Sequence, residues 1–219
     1  MSLDEETQNK IWQQTELFGL LNHMPVIQFI FPEVEADDVI SAVAQAPIYQ
    51  GWQKVIISSD KDFFQLLGPD NVVLYRPIQK QFLNRMRILE EYGIHPTNFA
   101  MARAMVGDPS DNLAGIRGIG LPTVSKRLTF MKEEKSFTFS DIYDHCENVE
   151  KKLKIHTNIL ENKAVIEDNY RLMQLYSPSI SVQSKEKIKY TLENADMGFN
   201  KTGVTKIMYE IGFGELNWS

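Results

Sequence analysis

The sequence has few of the features that would place it outside the cell or in a membrane. Its single cysteine, Cys146, excludes an intramolecular disulfide and is typical of a reducing compartment. Residues 1–10 are polar and acidic, unlike a signal peptide, and no apolar run approaches the roughly 20 residues needed to cross a bilayer. We therefore expect a soluble, cytoplasmic protein with no membrane partner.

Positive charge is also scarce. The 219 residues include 29 acidic and 23 basic side chains, which gives a formal net charge of −6 and a pI near 5.3. Proteins that coat nucleic acid are usually basic, so this balance argues against that class. It remains compatible with a nuclease whose acids gather around cations, because bound metal cancels local negative charge.

The pattern of apolar residues predicts alternating strands and helices up to about residue 131. Strands are predicted at 26–31, 54–58, 72–75 and 81–83. Helices are predicted at 5–24, 36–45, 63–67, 86–92, 99–106 and 123–130. Such alternation is typical of an α/β fold with a mixed, mainly parallel sheet, in which we expect 54–58 to be buried on both faces and the next two strands to lie at edges. Beyond residue 131 only helices are predicted, at 140–154, 162–176 and 202–211.

Acidic side chains stand at the ends of these apolar elements in three clusters. They are Glu35, Asp37 and Asp38; Asp60 and Asp62; and Asp108 and Asp111. Each cluster has a structural interpretation, because acids stabilise the first turn of a helix and cap its start. The functional interpretation is that all three share one edge of the sheet, where open α/β proteins bind ligands. Carboxylates at that density stay ionised only beside cations, and oxygen ligands suit Mg²⁺ or Mn²⁺, two of which about 4 Å apart support phosphodiester hydrolysis.

The third acidic cluster continues into spaced glycines, Gly115, Gly118 and Gly120. Glycine lets a backbone bend where a side chain would collide with whatever approaches. Two interpretations stay open for this segment. It is either a carboxylate edge joined to a phosphate-binding turn, or a plain loop between two core helices.

Three motifs in this order resemble those of the flap-endonuclease-like 5′ nuclease family, and within it the branch of T-even phage ribonuclease H. They are Val34-Glu-Ala-Asp-Asp38, Ile57-Ser-Ser-Asp-Lys-Asp-Phe63 and Gly107-Asp-Pro-Ser-Asp-Asn112, the last followed by Gly115-Ile-Arg-Gly-Ile-Gly120. Their order and separations agree with the family from about residue 15 to 130. Each motif alone is weak, whereas the ordered set is specific.

The resemblance implies a role for each matching residue. Glu35 and Asp37 would hold a first metal ion with Asp38 beside them, and Asp60, Asp62, Asp108 and Asp111 a second; all but Asp38 are candidate catalytic residues. The turn Gly115 to Gly120 would belong to a helix–three-turn–helix that binds K⁺ and a duplex phosphate. Thr123, Lys126 and Arg127 would contact neighbouring phosphates, with Arg117 assisting.

The resemblance also implies a substrate and a domain organisation. The substrate would be DNA or an RNA/DNA duplex with a 5′ flap or end, met during DNA replication in a phage-infected bacterium. Residues 1–105 would form a partial α/β nuclease core, and residues 106–219 the helix–three-turn–helix and a C-terminal helical region.

The sequence departs from the family pattern in its first part. Family members begin with a strand that carries an aspartate and later have a basic arch, and neither pattern is found here. We therefore expect a gap in the sheet with apolar edges. Three hypotheses follow: a nuclease completed by a separately encoded amino-terminal fragment, a non-catalytic module that binds duplex DNA with a remnant metal site, or a nuclease that covers the gap by self-association.

Overall fold

The structure is a computed structural model in which residues 4–214 are described. These residues pack as two units, one of residues 34–181 and one in which 4–33 join 182–214. All the predicted site residues belong to the first unit. The predicted division into 1–105 and 106–219 separates a nuclease core from a DNA-binding region rather than two compactly packed units, and it stays a prediction.

The described residues form ten α-helices, four short 3₁₀ helices and three strands. The α-helices are α1 (Glu5–Leu21), α2 (Ala36–Ala44), α3 (Arg85–Tyr92), α4 (Phe99–Val106), α5 (Leu121–Arg127), α6 (Phe139–Asn148), α7 (Lys154–Glu161), α8 (Lys163–Met173), α9 (Val182–Asn194) and α10 (Lys201–Glu210). The 3₁₀ helices are Pro47–Tyr49, Asp62–Leu67, Pro96–Asn98 and Thr129–Lys132. None of the described helices is long and apolar enough to cross a membrane.

The three strands form one mixed sheet, β1 (Lys54–Ile57), β2 (Val72–Arg76) and β3 (Gln81–Leu83), in that order. β1 and β2 are parallel with Lys54 opposite Val72, whereas β2 and β3 are antiparallel with Leu74 opposite Leu83. The α/β fold with a mixed sheet is confirmed. The prediction that 72–75 forms an edge strand is wrong, since β2 lies in the middle and pairs on both sides.

Strand β1 is much more exposed than its β-branched sequence predicted. Ile56 is buried, but Val55 is 48% and Ile57 67% exposed. These two side chains alternate with Ile56 and so share the other face of the strand. Burial on both faces was therefore a wrong prediction, because among the described residues β1 pairs only with β2 and one of its faces is left uncovered.

The core of this unit is organised around α4. Six of its eight residues are buried, and the ring of Phe99 packs edge-on against Phe64 at 5.2 Å between centroids. The 3₁₀ helix Asp62–Leu67 lies on one side of α4, and α8 packs along another. The core continues into α6 and α7, where it includes Cys146, whose pKa is raised by burial to about 11. Both ends of α4 are thus fixed by packing, and with them the acidic segment that follows it.

The presence of most helices was predicted correctly, but the residues at which they begin and end were not. Residues 140–154 form α6 and the start of α7, separated by the non-helical stretch 149–153. The predicted helix 162–176 ends early as α8, and helix α9 was not predicted because its charged sequence lacks a clear apolar period.

The unit of residues 4–33 and 182–214 packs α1 against α10. The predicted helix at 5–24 is present as α1, but its apolar residues Ile11, Leu17 and Phe18 are each close to half exposed. The predicted strand at 26–31 is wrong. This segment, bounded by Pro25 and Pro32, has no strand partner among the described residues, and a strand is stable only when its backbone is paired.

Candidate metal centre and nucleic-acid interface

The first two acidic clusters begin helices on neighbouring elements. Glu35 is the N-cap residue of α2 but its side chain makes no capping hydrogen bond, and Asp37 and Asp38 occupy the first turn. Asp60 follows β1, and its Oδ1 accepts a hydrogen bond of 2.8 Å from the Asp62 amide, which starts the 3₁₀ helix at Asp62–Leu67. The N-cap position of this helix is Lys61, not Asp60, so the predicted cap is wrong, although Asp60 does hold the turn that leads into the helix.

Asp108 and Asp111 lie in a closed turn rather than on a helical turn. Asp108 and Leu113 exchange backbone hydrogen bonds of 2.9 and 2.8 Å, and Asp108 Oδ1 accepts from the Ser110 amide at 2.9 Å. The loop turns sharply at Asn112, which has a φ of 58°. This closure turns both carboxylates toward the same side.

Two glycines hold that turn shut. A Cβ on Gly115 would lie 1.7 Å from the Val106 carbonyl oxygen, and one on Gly107 would lie 2.3 Å from the Gly115 amide nitrogen. Gly107 also has a φ of 77°, which favours glycine. No other residue fits at either position without moving the end of α4.

Asp62, Asp108 and Asp111 come together at one place. Each offers a carboxylate oxygen, and these three oxygens all lie within 4.8 Å of one another. Asp62 and Asp108 are largely buried, whereas Asp111 is exposed. The cluster contains only oxygen donors, so it fits a hard divalent cation better than zinc.

A cation from the protein already lies in this cluster. Arg103, on α4, donates from Nε to Asp62 Oδ1 at 2.9 Å and from Nη2 to Asp108 Oδ2. The arginine side chain is 12% exposed. Hydrogen bonds from Ser110 and from Arg103 lower the pKa of Asp108, while burial raises the pKa of Asp62 in spite of Arg103.

Asp37 connects the first cluster to the second. Burial, and then the charges of Asp60, Asp62, Glu35 and Asp38, raise its pKa to about 6. Burial and Glu35 also raise the pKa of Asp38. The carboxylate of Asp37 therefore lies in the field of the second cluster, and among residues 4–214 no cationic side chain offsets that repulsion.

Buried polar side chains that the sequence reasoning missed hold the acidic segments in place. The buried Asn169 on α8 donates to the carbonyl oxygens of Ala104 at 3.0 Å and Ala114 at 2.9 Å, on either side of the acidic turn. The buried Gln65 donates to the Met173 carbonyl at 3.0 Å and accepts from the Leu175 amide at 2.7 Å. For Gln65 the available signal was a single polar residue inside an apolar stretch, as also holds for Arg103 within α4, whereas Asn169 stands among polar residues and gave no such signal.

The glycine turn and α5 form one wall of a groove with a volume of about 830 Å³. Four of the predicted nucleic-acid contacts line it, namely Arg117, Gly118, Thr123 and Arg127. Gly115, Gly120 and Lys126 do not line it; Gly115 packs internally, and Lys126 is exposed on α5. The turn itself is anchored by the buried Ile116 and Ile119.

Known proteins share this arrangement of segments. A family model described as the 5′-3′ exonuclease, N-terminal resolvase-like domain matches residues 5–93. The 5′-3′ exonuclease of Buchnera aphidicola subsp. Schizaphis graminum is 29% identical over 210 residues, which cover 95% of this chain and 70% of that protein. The thermostable DNA polymerase I of Thermus thermophilus is 34% identical over 125 residues, which cover 57% of this chain and only 15% of the polymerase.

A solved structure shows the same fold at lower identity. The bacteriophage T5 flap endonuclease, in a complex with DNA and metal ions, superposes with a TM-score of 0.63 at 20% identity over 95% of this chain and 72% of that one. The relatives thus include 5′-3′ exonucleases that match nearly the whole chain. These similarities support a place for the chain in the flap-endonuclease-like 5′ nuclease family.

Proposed function

We propose that the chain is the catalytic portion of a Mg²⁺-dependent, structure-specific 5′-3′ exonuclease or flap endonuclease. The observation that carries this proposal is that Asp62, Asp108 and Asp111, from two segments far apart in the chain, each place a carboxylate oxygen within 4.8 Å of the others. Carboxylates this close repel one another, and a bound cation would relieve that repulsion beyond what the single charge of Arg103 offsets. Phosphodiester hydrolysis with Mg²⁺ is the chemistry for which such a donor set is suited.

Each acidic cluster has its own part in this proposal. Asp60, Asp62, Asp108 and Asp111 would hold one divalent ion, and Glu35, Asp37 and Asp38 would contribute to another. Bound Mg²⁺ or Mn²⁺ would lower the pKa of the attacking water and stabilise the leaving oxygen. The chain's own contribution is to hold the carboxylates in position, through Arg103, Asn169 and the contact between Gly107 and Gly115.

The substrate proposed is DNA or an RNA/DNA duplex with a 5′ flap or end, as occurs in DNA replication. Support comes from the T5 enzyme, which was solved with DNA, and from the matching segment of DNA polymerase I. Arg117, Thr123, Lys126 and Arg127 would contact phosphates without reading base sequence. A K⁺ ion bound by backbone carbonyls of the Gly115–Gly120 turn would assist, and the setting would be the cytoplasm of a phage-infected bacterium.

We also propose that a separate amino-terminal fragment completes the fold beside β1. The support is the uncovered face of β1, where Val55 and Ile57 are exposed. A strand with an unpaired backbone edge and exposed apolar side chains can pair with a strand of another chain. Self-association is the other way to cover that strand, and it would appear in sedimentation as a dimer.

The experiment compares Asp60→Asn and Asp111→Asn with the parent chain in cleavage of a 5′-flap DNA, with Mg²⁺ and with an amino-terminal fragment of the family added. Both side chains are exposed, so both variants should fold. We expect cleavage by the parent mixture and a loss of at least about 100-fold in each variant, since each removes a ligand of the reacting centre. Cleavage that survives both substitutions would overturn the proposal.

A second candidate is a non-catalytic module that binds duplex DNA. Arg103 favours it, because its guanidinium pairs with both Asp62 and Asp108 and offsets part of their negative charge without metal, as in a remnant site. Under this candidate the parent mixture binds duplex DNA but cuts nothing in Mg²⁺ or Mn²⁺. Binding that survives Asp111→Asn does not separate the two candidates, whereas cleavage does.

A further inference from the structure

The groove beside the glycine turn has a second wall that the family motifs do not include. Helix α7 and the residues directly before and after it form this wall, and Lys154, Asn158 and Asn162 are its polar members. The groove as a whole contains three cationic side chains, Arg117, Arg127 and Lys154, and no acid. In a chain with a net charge of −6, a groove of about 830 Å³ without a carboxylate is a local reversal of sign.

These three cations are not used to hold the protein together. Among the described residues Arg117, Arg127 and Lys154 form no ion pair, and all three are exposed. Arg103, by contrast, is committed to two carboxylates. Three uncompensated positive charges around one cavity make it attractive to an anion with several charges.

The spacing of the two walls is fixed by packing. Ile116 and Ile119 anchor the turn in the core, and Ile155 and Ile159 anchor α7. Asn158 Nδ2 donates to the Arg117 carbonyl oxygen at 3.4 Å and so joins the walls directly. The backbone segments that carry the three cations are therefore held on opposite sides of one groove.

We propose that Lys154 and Asn158 form the second wall of a phosphate-binding groove that holds the backbone of duplex nucleic acid against Arg117 and Arg127. The inference rests on the proposed function in taking the same substrate, but it assigns binding to a helix outside the glycine turn. Arginine forks and the lysine ammonium both suit phosphate oxygens, and neither reads base sequence. Duplex is favoured over a single strand because the groove offers no exposed aromatic ring on which unpaired bases would stack.

The test is the salt dependence of binding to a short blunt DNA duplex, measured by fluorescence anisotropy in EDTA so that nothing is cut. Lys154→Gln removes one charge from the second wall, and Arg127→Gln removes one from the first. Lys189→Gln, on exposed α9, makes a similar change of charge outside the groove and is the matched control. Asn158→Asp places an acid between the cations without removing one.

We expect Lys154→Gln to weaken binding to every duplex sequence and to reduce the slope of log K against log salt by about 1, as Arg127→Gln should. Asn158→Asp should weaken binding further at low salt, and Lys189→Gln should leave both quantities unchanged. If Lys154→Gln behaves like Lys189→Gln while Arg127→Gln weakens binding, the second wall is not a binding surface and the inference fails.

Other outcomes are also decisive. A parent chain that binds single strands but no duplex overturns the inference, as does one that binds neither. Because binding is measured without metal, such a failure is separate from the cleavage test of the acidic cluster. Conversely, a chain that never cuts but shows the Lys154 effect keeps the groove and loses only the proposed catalysis.

Discussion

Two groups of acids within the unit of residues 34–181 are held in opposite ways. In the arginine-held cluster, Asp62, Asp108 and Asp111, two carboxylates are largely buried and both bind Arg103. In the helix-start group, Glu35, Asp37 and Asp38, no side chain caps the helix, and Asp37 is repelled by its acidic neighbours. The first group is ordered by the protein alone, whereas the second is left with uncompensated charge.

The difference indicates which acids depend on a bound cation or on another chain to offset their negative charge. The arginine-held cluster has its counter-charge built in, so an arriving cation must compete with a guanidinium. The helix-start group has only the favourable end of α2 to offset its charges, an effect of less than about 1 kcal/mol at an exposed helix end. A cation or an added fragment would therefore change the helix-start group more than the arginine-held cluster.

Replacing Arg103 should lower the free energy of unfolding more than any other substitution considered below. Arg103→Gln leaves Asp62 and Asp108 without their partner, and loss of one partner of a buried ion pair costs about 3 kcal/mol. Urea unfolding near pH 7 in EDTA measures this loss. Arg85→Gln is the control, since Arg85 also binds two acids, Asp70 and Glu134, but these are 81% and 73% exposed. It should cost less than about 1 kcal/mol.

Added Mg²⁺ should act differently on the parent chain and on Arg103→Gln. It should restore more stability to Arg103→Gln than it adds to the parent chain, because the cation then replaces the missing guanidinium. An Arg103→Gln variant that loses no more stability than Arg85→Gln would show that the arginine does not hold the cluster.

The next effect concerns the turn that carries Asp108 and Asp111. Gly115→Ala forces its Cβ against the Val106 carbonyl and should cost at least about 2 kcal/mol. Gly118 has a φ of 81° but open space, so Gly118→Ala should cost about 1 to 2 kcal/mol. Gly120 is extended with φ of −123°, and Gly120→Ala should change stability by less than about 1 kcal/mol. Thermal unfolding of the three variants gives the order; equal losses would contradict it.

Removing the charge of one aspartate from each group should change stability least. The change depends on pH and has opposite signs for Asp37 and Asp108. The pKa of Asp37 is raised to about 6, so its ionisation opposes folding, and this penalty grows as pH rises from about 4 through 6. Asp37→Asn should therefore stabilise the metal-free protein by about 1 kcal/mol at pH 8, after allowance for solvent screening, and by nothing at pH 4. The pKa of Asp108 is lowered, so its ionisation favours folding, and that stability is lost on acidification.

Asp108→Asn is thus the matched variant, and it should destabilise the protein at pH 8 but not at low pH. Urea unfolding of both variants in EDTA across this range gives the two signs. If both substitutions shift stability in the same direction at pH 8, the contrast between the groups is wrong.

The sequence was most informative where local rules apply. Acids at the starts of helices and at the end of a β-branched run were found from position alone, and α4 was predicted to the residue because its apolar run ends at a glycine. The glycine turn was recognised from spacing. The sequence could not show that position 115 must be glycine because the Val106 carbonyl lies against it, a contact that exists only after folding.

The failures have one physical cause, which is that burial depends on what covers a surface. Val55 and Ile57 belong to a sequence that fits a fully buried strand, and nothing local reveals that their face is uncovered. Arg103 was passed over for the complementary reason. A lone arginine in a buried helix needs partners, but its partners are 41 residues before it and 5 after it, so sequence distance alone does not identify them.

The sole cysteine has a practical consequence for fluorescence measurements of duplex binding. Cys146 is fully buried and its thiol stays protonated near neutral pH, so maleimide dyes should leave the parent chain unlabelled. A cysteine introduced by Thr157→Cys, on the exposed side of α7, would then be the only point of attachment. A single fluorophore beside the groove would report on a bound duplex directly, and Cys146 would not have to be replaced to prevent background labelling.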